Sequence, residues 1–247
     1  MGVPAPHSGE IDPALPRSAE MAWWITAWLR GHEQTDHLLD AFAGEAHSVL
    51  GLPDGPGSLV DLLTHLRRGG ATHAGLAVPV EGDAVGLGGP RAFNEVALEA
   101  GEAVVAGAVG LVPEEVGEVV HWHVTGADRR QLPDVGEADR GLRTALLETA
   151  EGLADLDVAR WRPEAADALM NLRHLPVLHP PAGTPPRCVQ LAARALQARG
   201  IVSLALADDG GALTAYEVER RRAALVPLGR AARRALVAAC SPEVWPH

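Results

Sequence analysis

Lysine is absent from this 247-residue sequence, so all 21 of its basic residues are arginine. Without lysine the chain cannot form a Schiff base, and it cannot supply the phosphate-binding lysine of a Walker loop or the strand lysine of a protein kinase. Cysteine is nearly absent too. Cys188 and Cys240 each lie in an apolar helical pattern rather than a disulfide framework, which fits a reducing, cytoplasmic compartment. Asparagine occurs only at Asn94 and Asn171, while Ala, Gly, Leu, Val and Pro abound, a bias that suits a GC-rich bacterial genome.

Long hydrophobic runs are missing as well. The most apolar stretch, Met21 to Leu29, falls far short of the roughly 20 residues that span a bilayer, so no membrane partner is expected. Positive charge is in deficit: a net charge of −11 repels a phosphate backbone and argues against nucleic acid. The arginine clusters at 220–222 and 230–234 read as the solvated face of a C-terminal helix. Residues 1–17, with Pro4, Pro6, Pro13 and Pro16, read as a flexible leader without a secretory pattern.

What is present predicts an α+β protein. Ser18 is expected to cap a helix that runs to about Arg30 and is ended by Gly31, and a second helical pattern follows with Leu38, Leu39, Phe42, Ala46 and Val49. "GLPDGPG" breaks the chain, after which Ser58 caps a helix closed by Gly69 and Gly70. "THAGLAVPV" alternates as a strand, turns at 81–83 and returns through Val85 and Leu87; a helix over 91–106 and a strand over 118–124 come next. Helices are expected again over 137–156 and 163–174.

The order then recurs. At a shift of about 130 residues, Leu66 falls on Leu196, Gly70 on Gly200 and Leu76 on Leu206, which predicts two α-β-β-α repeats with antiparallel strands covered by helices. The repeats are placed at 18–128 and 129–247, packed as one unit, with "ADRRQLPDVG" as their connection. Strand parity puts Leu76, Val78 and Val80, or Val202, Leu204 and Leu206, on the helix-packing face. Gly75, Ala77, Ser203, Ala205 and Ala207 line the other face, where small residues imply a close approach by another part of the chain or by a ligand.

Chemistry-bearing patterns are few. His121 and His123 share one strand face and could chelate a divalent ion such as zinc, with His73 on the neighbouring hairpin as a third ligand. The bland alternative is a pair of half-exposed histidines flanking a buried Trp122. No cofactor is otherwise predicted. "HEQTDH" is no zinc helix, because His32 and His37 are five apart and face different sides. Cys188 and Arg194 have a phosphatase spacing but lack the glycine-rich loop between them. The glycines at 82, 86, 88 and 89 lead into a helix, so Asp83, Arg91 and Asn94 are the candidate ligand-binding residues, against a reading of those glycines as turn punctuation. Trp23, Trp24 and Trp28 cover more than one side of the first helix, which is therefore central to the fold or meets a second subunit in a homodimer. The reading is an interaction or small-ligand-binding protein, with a metal-dependent enzyme using His121 and His123 as the alternative.

Overall fold

The computed structural model describes residues 15–154, 175–207 and 215–246. Its sheet has five strands in the order β1-β5-β4-β3-β2. These are β1 (Ala46–Leu50), β2 (Gly75–Ala77), β3 (Ala103–Ala106), β4 (Val109–Val116) and β5 (Val119–Gly126). Strands β2 to β5 pair antiparallel, and β1 adds to the β5 edge in parallel, with Val49 opposite Trp122. The α+β class holds, and the one parallel pair departs from the antiparallel expectation.

Seven α-helices are described: α1 (Arg17–Leu29), α2 (Thr35–Ala41), α3 (Leu59–Arg68), α4 (Arg91–Ala100), α5 (Val135–Ala154), α6 (Pro186–Ala207) and α7 (Ala215–Ala239). Three apolar clusters order them. On one sheet face Met21, Ile25 and Trp28 of α1, with Leu62 and Leu66 of α3, bury Val104, Leu111 and Trp122. On the opposite face Phe93 and Ala97 of α4 cover Val105 and Val112. The third cluster joins Ala19 and Trp23 of α1 and Leu76 of β2 to α5, α6 and α7.

Helix α1 is thus the shared wall of two cores, which is why it is apolar on more than one side. Of its three tryptophans, Trp23 and Trp28 are buried and Trp24 is half-buried. The Trp28 indole donates to Thr35 Oγ1 at 3.0 Å, and the Arg67 guanidinium stacks 3.6 Å over its ring.

The start of α3 follows its local chemistry. Ser58 Oγ accepts from Asp61 N–H, and the Asp61 carboxylate accepts from Ser58 N–H, a reciprocal capping box. Ser58→Ala is expected to lower stability by about 1 kcal/mol, read as a lower urea midpoint at an unchanged m-value.

Elsewhere the structure corrects the sequence reading. The helical pattern through Ala46 and Val49 is two elements: α2 stops at Ala41 and β1 begins at Ala46, yet Leu38, Phe42 and Val49 all reach one core. The helix expected over 91–106 ends at Ala100, because Ala103–Ala106 is a strand buried on both faces. Such a strand shows a continuous apolar run rather than alternation. No return strand forms at Val85 and Leu87; a tight Val80–Asp83 bridge closes that turn, and Val78 N–H donates to Val85 O at 3.3 Å.

The largest correction concerns the second repeat. Val202, Ser203, Leu204, Ala205, Leu206 and Ala207 form the last turns of α6, not a strand. A stripe of Leu191, Ala195, Ala198 and Ala205 keeps one helical face in the core, and helical burial overrides the local alternation. No strand occurs among the described residues beyond Gly126, so the matched strand faces do not recur there. The helix expected over 163–174 lies outside the described residues.

Candidate functional site

After β5 the chain does not leave as a linker. It runs back over the sheet face that carries Gly75 and Ala77, held by Ala127 N–H to Ala108 O at 2.9 Å and Asp128 N–H to Gly89 O at 2.7 Å. Two glycines permit this approach. A Cβ on Gly88 would stand 2.5 Å from Arg129 O, and one on Gly75 would collide with the Arg130 guanidinium, with Ser241 Oγ and Glu243 Oε2 each 2.9 Å away. On that face Gly75 therefore makes room for the Arg130 side chain, and Gly86 closes on Ala77.

Arg130 is the centre of this junction, with its side chain only 4% exposed. Its Nη1 donates to Leu76 O at 2.7 Å and Gly86 O at 3.1 Å; its Nη2 donates to Glu243 Oε1 at 2.8 Å and Ser241 Oγ at 3.3 Å; its Nε also reaches Glu243 Oε1, at 3.1 Å. Burial works against the arginine's charge and Glu243 for it. With Leu76 N–H donating to Cys240 O at 3.2 Å, the residues after α7 are sewn to the β2 edge.

Beside this junction opens a cleft of 520 Å³. Val105, Ala127, Leu132 and Val244 give it an apolar lining, and His73, Asp128, Arg129 and Glu243 give it polar groups. His73 stands with Nε2 3.7 Å from Glu243 Oε1 and its Nδ1 bonded to Thr72 Oγ1 at 3.0 Å. Burial holds the imidazole below its ordinary pKa despite Glu243, so near neutral pH it is the uncharged form that faces the cleft.

The residues singled out in the sequence are scattered. Asp83 accepts from Arg233 Nη2 at 2.9 Å, with Arg230 Nε at 3.9 Å, and ties the hairpin turn to α7. Part of the arginine cluster at 230–234 is thus anchored rather than solvated. Arg91 projects into solvent and pairs with Glu95 at 2.7 Å, while Asn94 Oδ1 accepts from Gly89 N–H at 3.1 Å. The three do not converge. The glycine loop beside them is occupied by segment 128–130.

His121 and His123 do share a face, opposite the buried Trp122. His121 shares a hydrogen bond with Ser48, and His123 Nε2 donates to Glu114 Oε2 at 2.6 Å. His73 lies beside β2, and β4 and β3 stand between that strand and β5. At ordinary strand spacing that is about 14 Å, too far for one ion. Among the described residues no three of His, Cys, Asp and Glu are grouped to hold a metal. Cys188 is also unsuited to thiolate chemistry, since burial, outweighing Arg187, pushes its thiol up to about 11.

Arg130 and Glu243, the central pair of the junction, went unnoticed in the sequence. The one available signal was the small-residue face at Gly75 and Ala77, which required a close neighbour without naming it.

Comparison with known proteins adds relatives. A family model described as "Rv1486c-like protein, N-terminal domain" matches residues 18–137, and "Rv1486c-like protein, C-terminal domain" matches residues 136–237. "Uncharacterized protein Rv1486c" of Mycobacterium tuberculosis (strain ATCC 25618 / H37Rv) is 28% identical over 93% of this chain and 98% of its own length. "Uncharacterized protein MAV321" of Mycobacterium avium is 28% identical over 61% of this chain and 65% of its own. No solved structure matches. Among the described residues no helix is long and apolar enough to cross a membrane. From residue 18 to residue 237, then, the chain is similar in sequence to the N-terminal and then the C-terminal domain of the Rv1486c-like proteins.

Proposed function

We propose that this protein binds a small molecule in the cleft between the β2-β3 side of the sheet, segment 127–132 and the C-terminal turn 242–244. The carrying observation is the cleft itself: 520 Å³, walled by residues from four separate stretches of the chain, with an apolar lining and a few polar groups. The ligand class that suits it is an organic molecule with an apolar body and one polar group in reach of the His73 imidazole.

A larger hollow of 770 Å³ lies beside the β4-β5 turn. Two of its carboxylates, Glu45 and Glu115, already hold Arg17 in ion pairs, and its walls are turn residues and exposed acids rather than an apolar floor. It is the weaker candidate.

Ala108 is exposed and lines the cleft, so Ala108→Trp fills the space without entering the core. A fragment library screened by amide NMR is expected to yield ligands that shift residues 105–108 and 127–130. The Trp variant should fold normally and bind those ligands at least about tenfold more weakly. A library that leaves these amides unmoved, or ligands indifferent to the Trp, would sink the proposal.

A further inference from the structure

The amino-terminal halves of α5 and α6 run side by side with an uncommon concentration of positive charge for a chain of net charge −11. Beneath it lies Asp139, whose side chain is 5% exposed. It is ion-paired with Arg143 one turn on, and Arg194 Nη2 of α6 stands 2.7 Å from its Oδ1. That second contact is close enough for an ion pair, though its N–H is not aligned for a hydrogen bond. Burial by itself raises the Asp139 carboxyl; Arg143, Arg194 and Arg187 together outweigh it and hold the group ionised.

Two further arginines meet above it. The point where a Cβ on Gly136 would lie is 3.4 Å from Arg187 Nη2 and 3.6 Å from Arg140 Nη1, so guanidiniums from α6 and α5 converge on one spot. Asp134 Oδ1 is 3.1 Å from the same point, but it already accepts from Gly136 N–H and Glu137 N–H at 2.8 and 3.0 Å as the cap of α5. Arg140 and Arg187 are exposed, and no hydrogen bond or ion pair among the described residues uses either side chain. These contacts bring together four guanidiniums, on Arg140, Arg143, Arg187 and Arg194, and two carboxylates, on Asp134 and Asp139. Glu137, exposed in the first turn of α5, adds a third carboxylate nearby, so the cluster keeps one positive charge over.

We propose that the groove between α5 and α6 binds a phosphate-type dianion, free phosphate or a phosphate monoester, gripped by Arg140 and Arg187. The two guanidiniums that converge beside Gly136 are what oppose the ligand's charge. Guanidinium forks match tetrahedral oxyanions in geometry as well as charge, with paired N–H donors set at the spacing of two oxygens. A spherical ion such as chloride would use none of the fork geometry. The site is separate from the cleft and does not depend on it.

The test is an amide NMR titration with inorganic phosphate at constant ionic strength held by chloride, with phenyl phosphate as the monoester arm. Saturable shifts are expected at residues 134–143 and 187–194, and the arm that saturates first identifies the source. The double variant Arg140→Gln/Arg187→Gln leaves the Asp139 ion pairs in place and should melt at the wild-type temperature. It should bind at least about tenfold more weakly. Arg222→Gln, which removes an exposed charge on α7, should bind as the wild type does. The inference falls if chloride alone produces the same shifts, if the double variant binds phosphate like the wild type, or if Arg222→Gln weakens binding equally.

Discussion

Replacing Arg130 by methionine is expected to destabilise the protein by about 3–5 kcal/mol, because it breaks a buried ion pair from one side only. Methionine fills most of the arginine's volume, so the loss is one of partners rather than packing. Glu243 loses the Arg130 guanidinium, and Leu76 O and Gly86 O lose the Nη1 donor that bridges them. A buried acceptor left without its donor costs about 1–3 kcal/mol. Chemical denaturation measures the effect directly. The double variant Arg130→Met/Glu243→Leu is the sharper measurement, since it removes both charges and should recover a good part of the loss. A single variant that loses less than about 1 kcal/mol would show that the junction at β2 holds without Arg130.

Trp23→Ala should be as severe, again about 3–5 kcal/mol, through the cavity it leaves. Trp23 is 1% exposed, packs in the cluster formed with α5, α6 and α7, and donates its indole N–H to Ala239 O at 3.3 Å. The neighbouring Trp24 is only half-buried on another side of α1. Trp24→Ala should therefore cost much less, about 1 kcal/mol. Urea denaturation followed by circular dichroism compares the two. Equal losses would mean that Trp24 too is enclosed, for instance by a second copy of the chain.

Much of the fold was legible where short-range chemistry decides it. Ser58 with Asp61 announces the start of α3, Gly69 its end, and the alternation around Trp122 announces β5. The reading failed where distant partners decide. Ala103–Ala106 is a strand because β2 and β4 flank it, and nothing in "AVVA" separates a doubly buried strand from a helix turn. Residues 201–207 alternate like a strand but continue a helix whose burial was set by the preceding turns. The candidate site was less legible still. Asp83 sits in a glycine-rich loop that suits a ligand, yet its partner is Arg233, which lies 150 positions later. Arg130 was hidden in a polar, turn-rich stretch whose composition is that of a connection, and only its burial distinguishes it from Arg129 beside it.

The bond from Leu76 N–H to Cys240 O, with the grip of Arg130 on Ser241 and Glu243, bears on the order in which the chain is made. A ribosome releases β2, β3, β4 and β5 long before residues 240–245. Throughout elongation the β2 edge therefore carries an unanswered donor, and Trp23 faces helices not yet synthesised. The sheet can form early, but its seal is translated only after α5, α6 and α7. During that interval the nascent chain presents an open strand edge and an apolar wall, and premature pairing with a neighbouring nascent chain is the hazard to which this topology exposes it.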